Sequence, residues 1–214
     1  MAISFAKTKG KAQSSKVDSY EYKDGDNTVR IFGGVLPRYI YWLKGSNNKD
    51  IPVECLAFSR EDERFNNAEL DHVQSFFPEA KCSWSYSVNC IDPRDGKAKV
   101  LNLKKKLFEQ IVTAAESLGD PTDPDTGWDI VFKRSKTGPL AFNISYDLKA
   151  LACKVRSLSE AERAVIAAEK SIDEKYPRPT PEDVLKTLER ITKGGEDDDT
   201  DSTTDKEAVN ELGN

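Results

Sequence analysis

KCSWSYSVNCIDPRDGKAKVLNLKKKLFEQIVTAAESL, residues 81–118, is the stretch on which the fold turns. Over 81–91 polar and apolar residues alternate strictly. Cys82, Trp84, Tyr86, Val88 and Cys90 fall on one face and Ser83, Ser85, Ser87 and Asn89 on the other, the period of a strand with one buried face. Pro93-Arg94-Asp95-Gly96 carries the Asp-Gly signature of a hairpin and leads into a strand over 97–103. The period then lengthens to that of a helix. Leu107, Phe108, Ile111, Val112, Ala115 and Leu118 form one stripe, with Gly119 placed as a C-terminal cap and Pro121 beyond it.

Working outward, turn residues at 24–27 precede a strand over 28–32, and further strands are expected over 38–43 and 52–58. Phe65, Leu70, Val73, Phe76 and Phe77 recur at roughly helical spacing until Pro78 stops them. Downstream, a turn-rich segment at 120–127 precedes strands over 128–134 and 140–147, joined by a turn at 136–139. This order predicts a mainly β fold: an OB-fold five-stranded barrel, its helix separating the third strand from the fourth, with inserted strand and helix elements. Ser157 with Glu160 is read as a capping box for a helix to about residue 172, and Thr180-Pro181 opens another to about residue 191. Their charged faces predict a C-terminal helical appendage. The expected organisation is therefore a flexible basic arm at 1–19, an OB-fold domain at 20–153, the appendage at 154–193 and a disordered acidic tail at 194–214.

The charge is divided along the chain. Residues 194–214 hold eight carboxylates (Glu196, Asp197, Asp198, Asp199, Asp201, Asp205, Glu207, Glu211) against Lys206 alone. The whole chain is at −5, so the tail at −7 leaves residues 1–193 at +2. Residues 1–16 contain Lys7, Lys9, Lys11 and Lys16 and no acid. A detached polyanion on a mildly basic body points to a tail that competes with a polyanionic ligand of that body. The apolar stretch at 1–5 is too short for a secretory signal, and no run of about 18 apolar residues occurs, so an intracellular protein is expected, neither secreted nor membrane-spanning. Cys55, Cys82, Cys90 and Cys153 then read as reduced, buried thiols.

The candidate site is a basic, aromatic surface. Arg30, Arg38, Tyr39, Tyr41 and Trp42 lie on the first strands. Lys97, Lys99, Lys104, Lys105 and Lys106 lie on the middle strand and helix start, and Lys133 and Arg134 on the last hairpin. Single-stranded nucleic acid requires cations along its phosphates and rings on which bases stack, the latter contributing about 1–3 kcal/mol per base. Trp84, Tyr86 and Phe142 share faces with Val88 or Ile144 and read first as core, with Tyr86 and Phe142 as second-rank stacking candidates. Tyr39, Tyr41 and Trp42 occupy both faces of one strand, so at least one ring must face outward.

Three blocks carry a family resemblance. KDGDNTVRIF (residues 23–32), IDPRDGKAKVLNLKKKLF (91–108) and GDPTDPDTGWDI (119–130) resemble, in order, the opening strand, the central strand with its basic helix start, and a later block of tailed-phage single-stranded DNA-binding (helix-destabilising) proteins. The resemblance spans about residues 23–148. It implies an OB-fold that coats single-stranded DNA in replication, recombination and repair in the cytoplasm of an infected bacterial host. It further implies an arm that aids cooperative binding and a tail that recruits replication or recombination proteins. Two departures are visible. His72, Cys82 and Cys90, with Cys55 as the nearby fourth thiol, lack the Cys-x-x-Cys pair of the zinc-bearing branch, and the chain ends Leu212-Gly213-Asn214 without a terminal aromatic. No metal and no cofactor are expected.

Other functions compete with this one. Asp125, Asp147 and Lys149 match the acid-acid-lysine spacing of magnesium nucleases, but Asp125 sits in a turn cluster that turn chemistry explains, so no enzyme is expected. Lysines alone would serve an architectural binder of double-stranded DNA. A protein-interaction adaptor working through the tail is the third reading.

Overall fold

In the computed structural model, which describes residues 17–46, 48–139 and 143–193, strand β1 (Gly25–Leu36) organises the fold by serving two neighbours in succession. Gly25 to Val29 pair antiparallel with β9 (Trp128–Lys136), and Arg30 to Leu36 pair antiparallel with β7 (Ser87–Asp92). The register slips between Phe32 and Val35, where Gly33 takes φ +71°, a left-handed conformation that glycine enters without a side-chain penalty. The β7 strand turns through residues 93–96 into β8 (Lys97–Asn102), and β9 turns back into β10 (Ile144–Leu148). The strand order is β10-β9-β1-β7-β8, with β11 (Lys154–Val155) also paired to β9.

Helix α2 (Lys105–Leu118) joins β8 to β9 and buries Leu107 and Ile111. Gly119 at φ +84° ends it. Across the loop, Trp128 is fully buried and its indole N–H donates to the Gly119 carbonyl at 2.9 Å. The strand-helix-strand order thus matches expectation, but among the described residues no ladder joins β8 to β10. The sheet is an open antiparallel path, not the closed barrel expected, and the fold is mixed α/β with more strand than helix.

Between β1 and β7 lies the insertion. The strand β2 (Tyr39–Lys44) is flanked by β3 (Asp50–Glu54) and β6 (Cys82–Trp84) in a second antiparallel sheet. A two-pair hairpin, β4 (Phe58–Ser59) with β5 (Arg64–Phe65), follows β3, so the strand expected over 52–58 is broken in two. The helix expected from Phe65 onward shrinks to α1 (Val73–Phe76) because Phe65 is held in the hairpin opposite Phe58 and Leu70 is exposed.

The strand expected over 81–91 is also two strands, since Ser85 leaves the ladder and its N–H donates instead to the Arg38 carbonyl at 3.0 Å. Its polar face does not meet solvent. Every residue of β7 is buried, Ser87 and Asn89 included, because the C-terminal segment covers them. Asn89 donates to the Lys170 carbonyl at 3.0 Å and accepts from Lys175 at 2.8 Å, while Leu36, Val100 and Ile172 form a small core beside them.

That segment contains α3 (Glu160–Ala168), α4 (Ile172–Lys175) and α5 (Pro181–Lys193). The capping box of α3 is Ser159 with Glu162, not Ser157 with Glu160, and the single helix expected to residue 172 stops at Ala168. A second box, Ser171 with Glu174, then starts α4. Val184 and Leu188 of α5 are buried in the main core. The expectations for residues 1–16 and for the acidic tail at 194–214 lie outside the described residues.

Leu188→Ala should cost about 2–5 kcal/mol in urea denaturation, because Leu188 is fully buried, whereas Leu151→Ser, at a fully exposed side chain, should leave the midpoint unchanged.

Candidate nucleic-acid interface

Five of the nine candidate cations are tied into the protein. Arg30 is 2% exposed, and its Nη2 donates to the Asp123 carbonyl at 2.7 Å. Its Nε and Nη1 are buried with no hydrogen-bond partner among the described residues, and burial lowers its pKa. Arg38 is buried with its guanidinium 4.1 Å from the Tyr176 ring centroid, a cation–π contact that fastens the appendage to the insertion. Arg134 is buried, donating to the Tyr146 hydroxyl at 3.3 Å and pairing with Asp24. Lys104 is buried with its ammonium 5.6 Å from the rings of both Tyr22 and Tyr146. Lys99 bridges Asp92 and Asp95, each at 2.8 Å. A sequence shows where a cation falls in a strand, but not whether a loop or appendage folds over it.

Lys97, Lys105, Lys106 and Lys133 face solvent. Lys133 stands opposite Asp26 on β1 and opposite Asp147 on β10, which places all three on one sheet face. Lys106 pairs with Asp147 at 2.9 Å and Lys149 with Asp26 at 2.6 Å. The row Lys106, Asp147, Lys133, Asp26, Lys149 therefore alternates in sign and nets one positive charge. A phosphate approaching it must compete with carboxylates already in place. The nuclease-like trio is divided among such pairs, with Asp125 held by Arg163 at 2.6 Å.

The rings divide similarly. Tyr41 is buried and donates to Asp71 at 3.1 Å, and burial, with the Cys55 thiol beside it, raises its pKa. Tyr86 is buried, lies stacked against Trp84 with centroids 3.5 Å apart, and donates to Glu63 at 3.3 Å. Tyr39 and Trp42 are half-buried. Trp42 stands opposite Pro52, and its indole N–H is buried without a partner among the described residues. Phe142 lies outside the described residues.

Sequence reasoning missed a second aromatic group. Tyr22 packs edge-on against Tyr20, Phe132 and Tyr146 at centroid distances of 5.6, 5.7 and 4.9 Å. The alternation Tyr20-x-Tyr22 next to the expected first strand was its available signal. A cleft of about 240 Å³ opens beside this group, lined by Tyr20, Lys23, Asn27 and Arg94 among others.

The hairpin that carries Lys97 is fixed by charge. Burial alone would raise the Asp92 carboxyl, but hydrogen bonds from Arg94 and Lys99 prevail and hold it far below the usual carboxylate range. In the appendage, Arg156 holds the Glu162 carboxyl down to about 2. Cys55, 3.3 Å from Asp71, and Cys90 in β7 are buried, whereas Cys82 and Cys153 are half-buried, not buried as expected. Among the described residues no three metal-ligating side chains gather into a site. Among them, too, no helix is long and apolar enough to cross a membrane.

An open antiparallel sheet with an aromatic-rich insertion and a mildly basic body is the class of protein that fold and surface define. Comparison then gives a relative that aligns along nearly the whole chain. The chain is homologous to a protein of Escherichia phage T5 described as a probable ssDNA-binding protein, 29% identical over 235 aligned residues that cover 94% of this chain and 91% of the relative. The family resemblance read from the sequence is thereby borne out. No family model matches the chain, and no solved structure matches it.

Both depressed carboxyls stabilise the fold fully above their unfolded pKa values of about 4, and that contribution is lost as pH falls toward their folded values. Urea midpoints should therefore drop between about pH 5 and pH 2. Asp92→Asn should cost about 3–5 kcal/mol at pH 7, since it breaks a buried ion pair, and should flatten that pH dependence.

Proposed function

We propose that the chain is a sequence-tolerant single-stranded DNA-binding protein of a phage replication and recombination system, acting in the cytoplasm of an infected bacterial host without enzymatic turnover. The observation that carries this reading is the end-to-end homology to the phage T5 protein, whose description names single-stranded DNA as its ligand. The connectivity supports an OB-type ancestry: β1 with β7 and β8, then α2, then β9 and β10, is the OB order of strands and helix.

In this reading Lys97, Lys105, Lys106 and Lys133 contact phosphates, and Tyr39 and Trp42 are the half-buried rings available for stacking. Arg30, Arg38, Tyr41, Tyr86, Lys104 and Arg134 act through the structure of the groove walls, not by direct contact, because each is buried. Lys99, tied to Asp92 and Asp95, belongs with them. Trapping unstacked strands lowers duplex stability by mass action, which destabilises helices without ATP. The acidic tail at −7 competes intramolecularly with DNA for the cationic surface and offers a docking segment to replication or recombination proteins.

A titration of the full chain and of a variant ending at Lys193, with single- and double-stranded oligonucleotides at two salt concentrations, tests both parts. The shortened variant should bind single strands more tightly than the full chain, with tryptophan quenching. Replacing Lys105, Lys106 and Lys133 by Ala should lower the salt slope by about 0.7 for each phosphate those lysines neutralise. Equal affinity for duplex without quenching would favour an architectural double-stranded DNA binder, and no binding by either form would favour an interaction adaptor.

A further inference from the structure

At the junction of the insertion and the main sheet, aromatic rings from five elements and one linker meet. Tyr39 of β2 lies 4.8 Å from Phe58 of β4, 5.0 Å from Phe65 of β5 and 6.4 Å from Trp84 of β6. Trp84 is backed by Tyr86 at 3.5 Å with an interplanar angle of 14°, and Phe108 of α2 tilts against it at 5.4 Å. Most of these rings are buried or half-buried, as a core would require. Phe65 is not: it remains 51% exposed although two neighbouring rings touch it.

The backbone holds Phe65 there at a cost. Glu63 at φ +50° and Asn67 at φ +51° both take the left-handed conformation that residues other than glycine rarely adopt, and they bracket the two-residue strand that carries Phe65. Arg64 precedes it in the hairpin with a side chain 72% exposed and an ion pair to Asp62 at 3.9 Å. The hairpin acids are partly occupied: Asp62 accepts from Ser59 at 3.1 Å and from Asn66 at 3.2 Å, and Glu63 accepts from Tyr86 at 3.3 Å.

We propose that Phe65, supported by Tyr39 and Phe58, is a base-stacking shelf for single-stranded nucleic acid, with the exposed Arg64 next to it as a phosphate contact. This rests on the single-stranded DNA reading above and assigns it a site on the insertion. An exposed ring already packed against two other rings loses little rotamer freedom when a base covers it. A ring serving only to anchor the hairpin would do as well as leucine, and that difference makes the proposal testable.

The full chain and its Phe65→Leu and Phe65→Trp variants would be titrated with dye-labelled oligothymidine and with a duplex of equal length, alongside urea denaturation. Phe65→Leu keeps the apolar anchor and removes the ring. It should weaken oligothymidine binding about tenfold, with an unchanged salt slope and denaturation midpoint, while leaving duplex binding as in the parent. Phe65→Trp should retain affinity and add a fluorescence quench on binding. Wild-type affinity in Phe65→Leu, or an equal loss on duplex, would overturn the shelf and leave the function above standing. Failure of the full chain and of the variant ending at Lys193 to bind oligothymidine would overturn the function and the shelf with it.

Discussion

A strand's backbone donors and acceptors must find partners along its whole length, and a long strand whose neighbours are short can meet that demand only by changing partner. The β1 strand does so at Val29/Arg30, passing from β9 to β7, and the rest of the sheet is hung from that exchange. The bulge after Phe32 lets the second half of β1 bend away with β7, and the chain then leaves at Leu36 into the insertion. The main core gathers around this bend: Val29 and Ile31 from β1, Val88 and Cys90 from β7, Trp128 and Ile130 from β9, and Leu107 from α2.

The C-terminal segment completes this arrangement. It covers the other face of β1 and β7 with Ile172 and Tyr176 and supplies polar partners to Asn89, so the sheet's second face is closed by chain that follows the sheet in sequence. Arg38 and Arg178 bind the insertion to it, Arg38 through the Tyr176 ring and Arg178 through the Leu56 and Phe58 carbonyls and Glu69. Cations that a charge count would assign to a ligand are thus engaged in joining parts of the protein. Of the nine candidate cations only Lys97, Lys105, Lys106 and Lys133 stay exposed, and Lys106 and Lys133 lie beside carboxylates.

Much of the main sheet was legible in the sequence because its signals are local. The Asp-Gly turn at 95–96 forms its hairpin, the stripe from Leu107 to Leu118 forms α2 with Gly119 ending it, and Thr180-Pro181 opens α5. The insertion was less legible. Phe65 fits a helical period with Val73 and Phe76, yet it pairs with Phe58 in a hairpin and packs on Tyr39, a tertiary contact that overrides a sparse periodic signal. Ser157 and Ser159 stand at equal spacing from Glu160 and Glu162, and Arg156 decides between them by binding Glu162.

By itself the sequence determined the order of strands around α2, the division of charge between body and tail, and the family resemblance, since turns, periodicity and residue identity are local properties of the chain. Only the tertiary structure decided which cations and rings are open. Arg30, Arg38, Lys104 and Arg134 are buried by the 120–127 loop, by the appendage and by the tyrosine group around Tyr22, none of which adjoins them in sequence. Phe65 stays exposed because two left-handed residues and a two-pair hairpin hold it there. Exposure is set by what packs over a residue from a distance, and no local pattern carries that information.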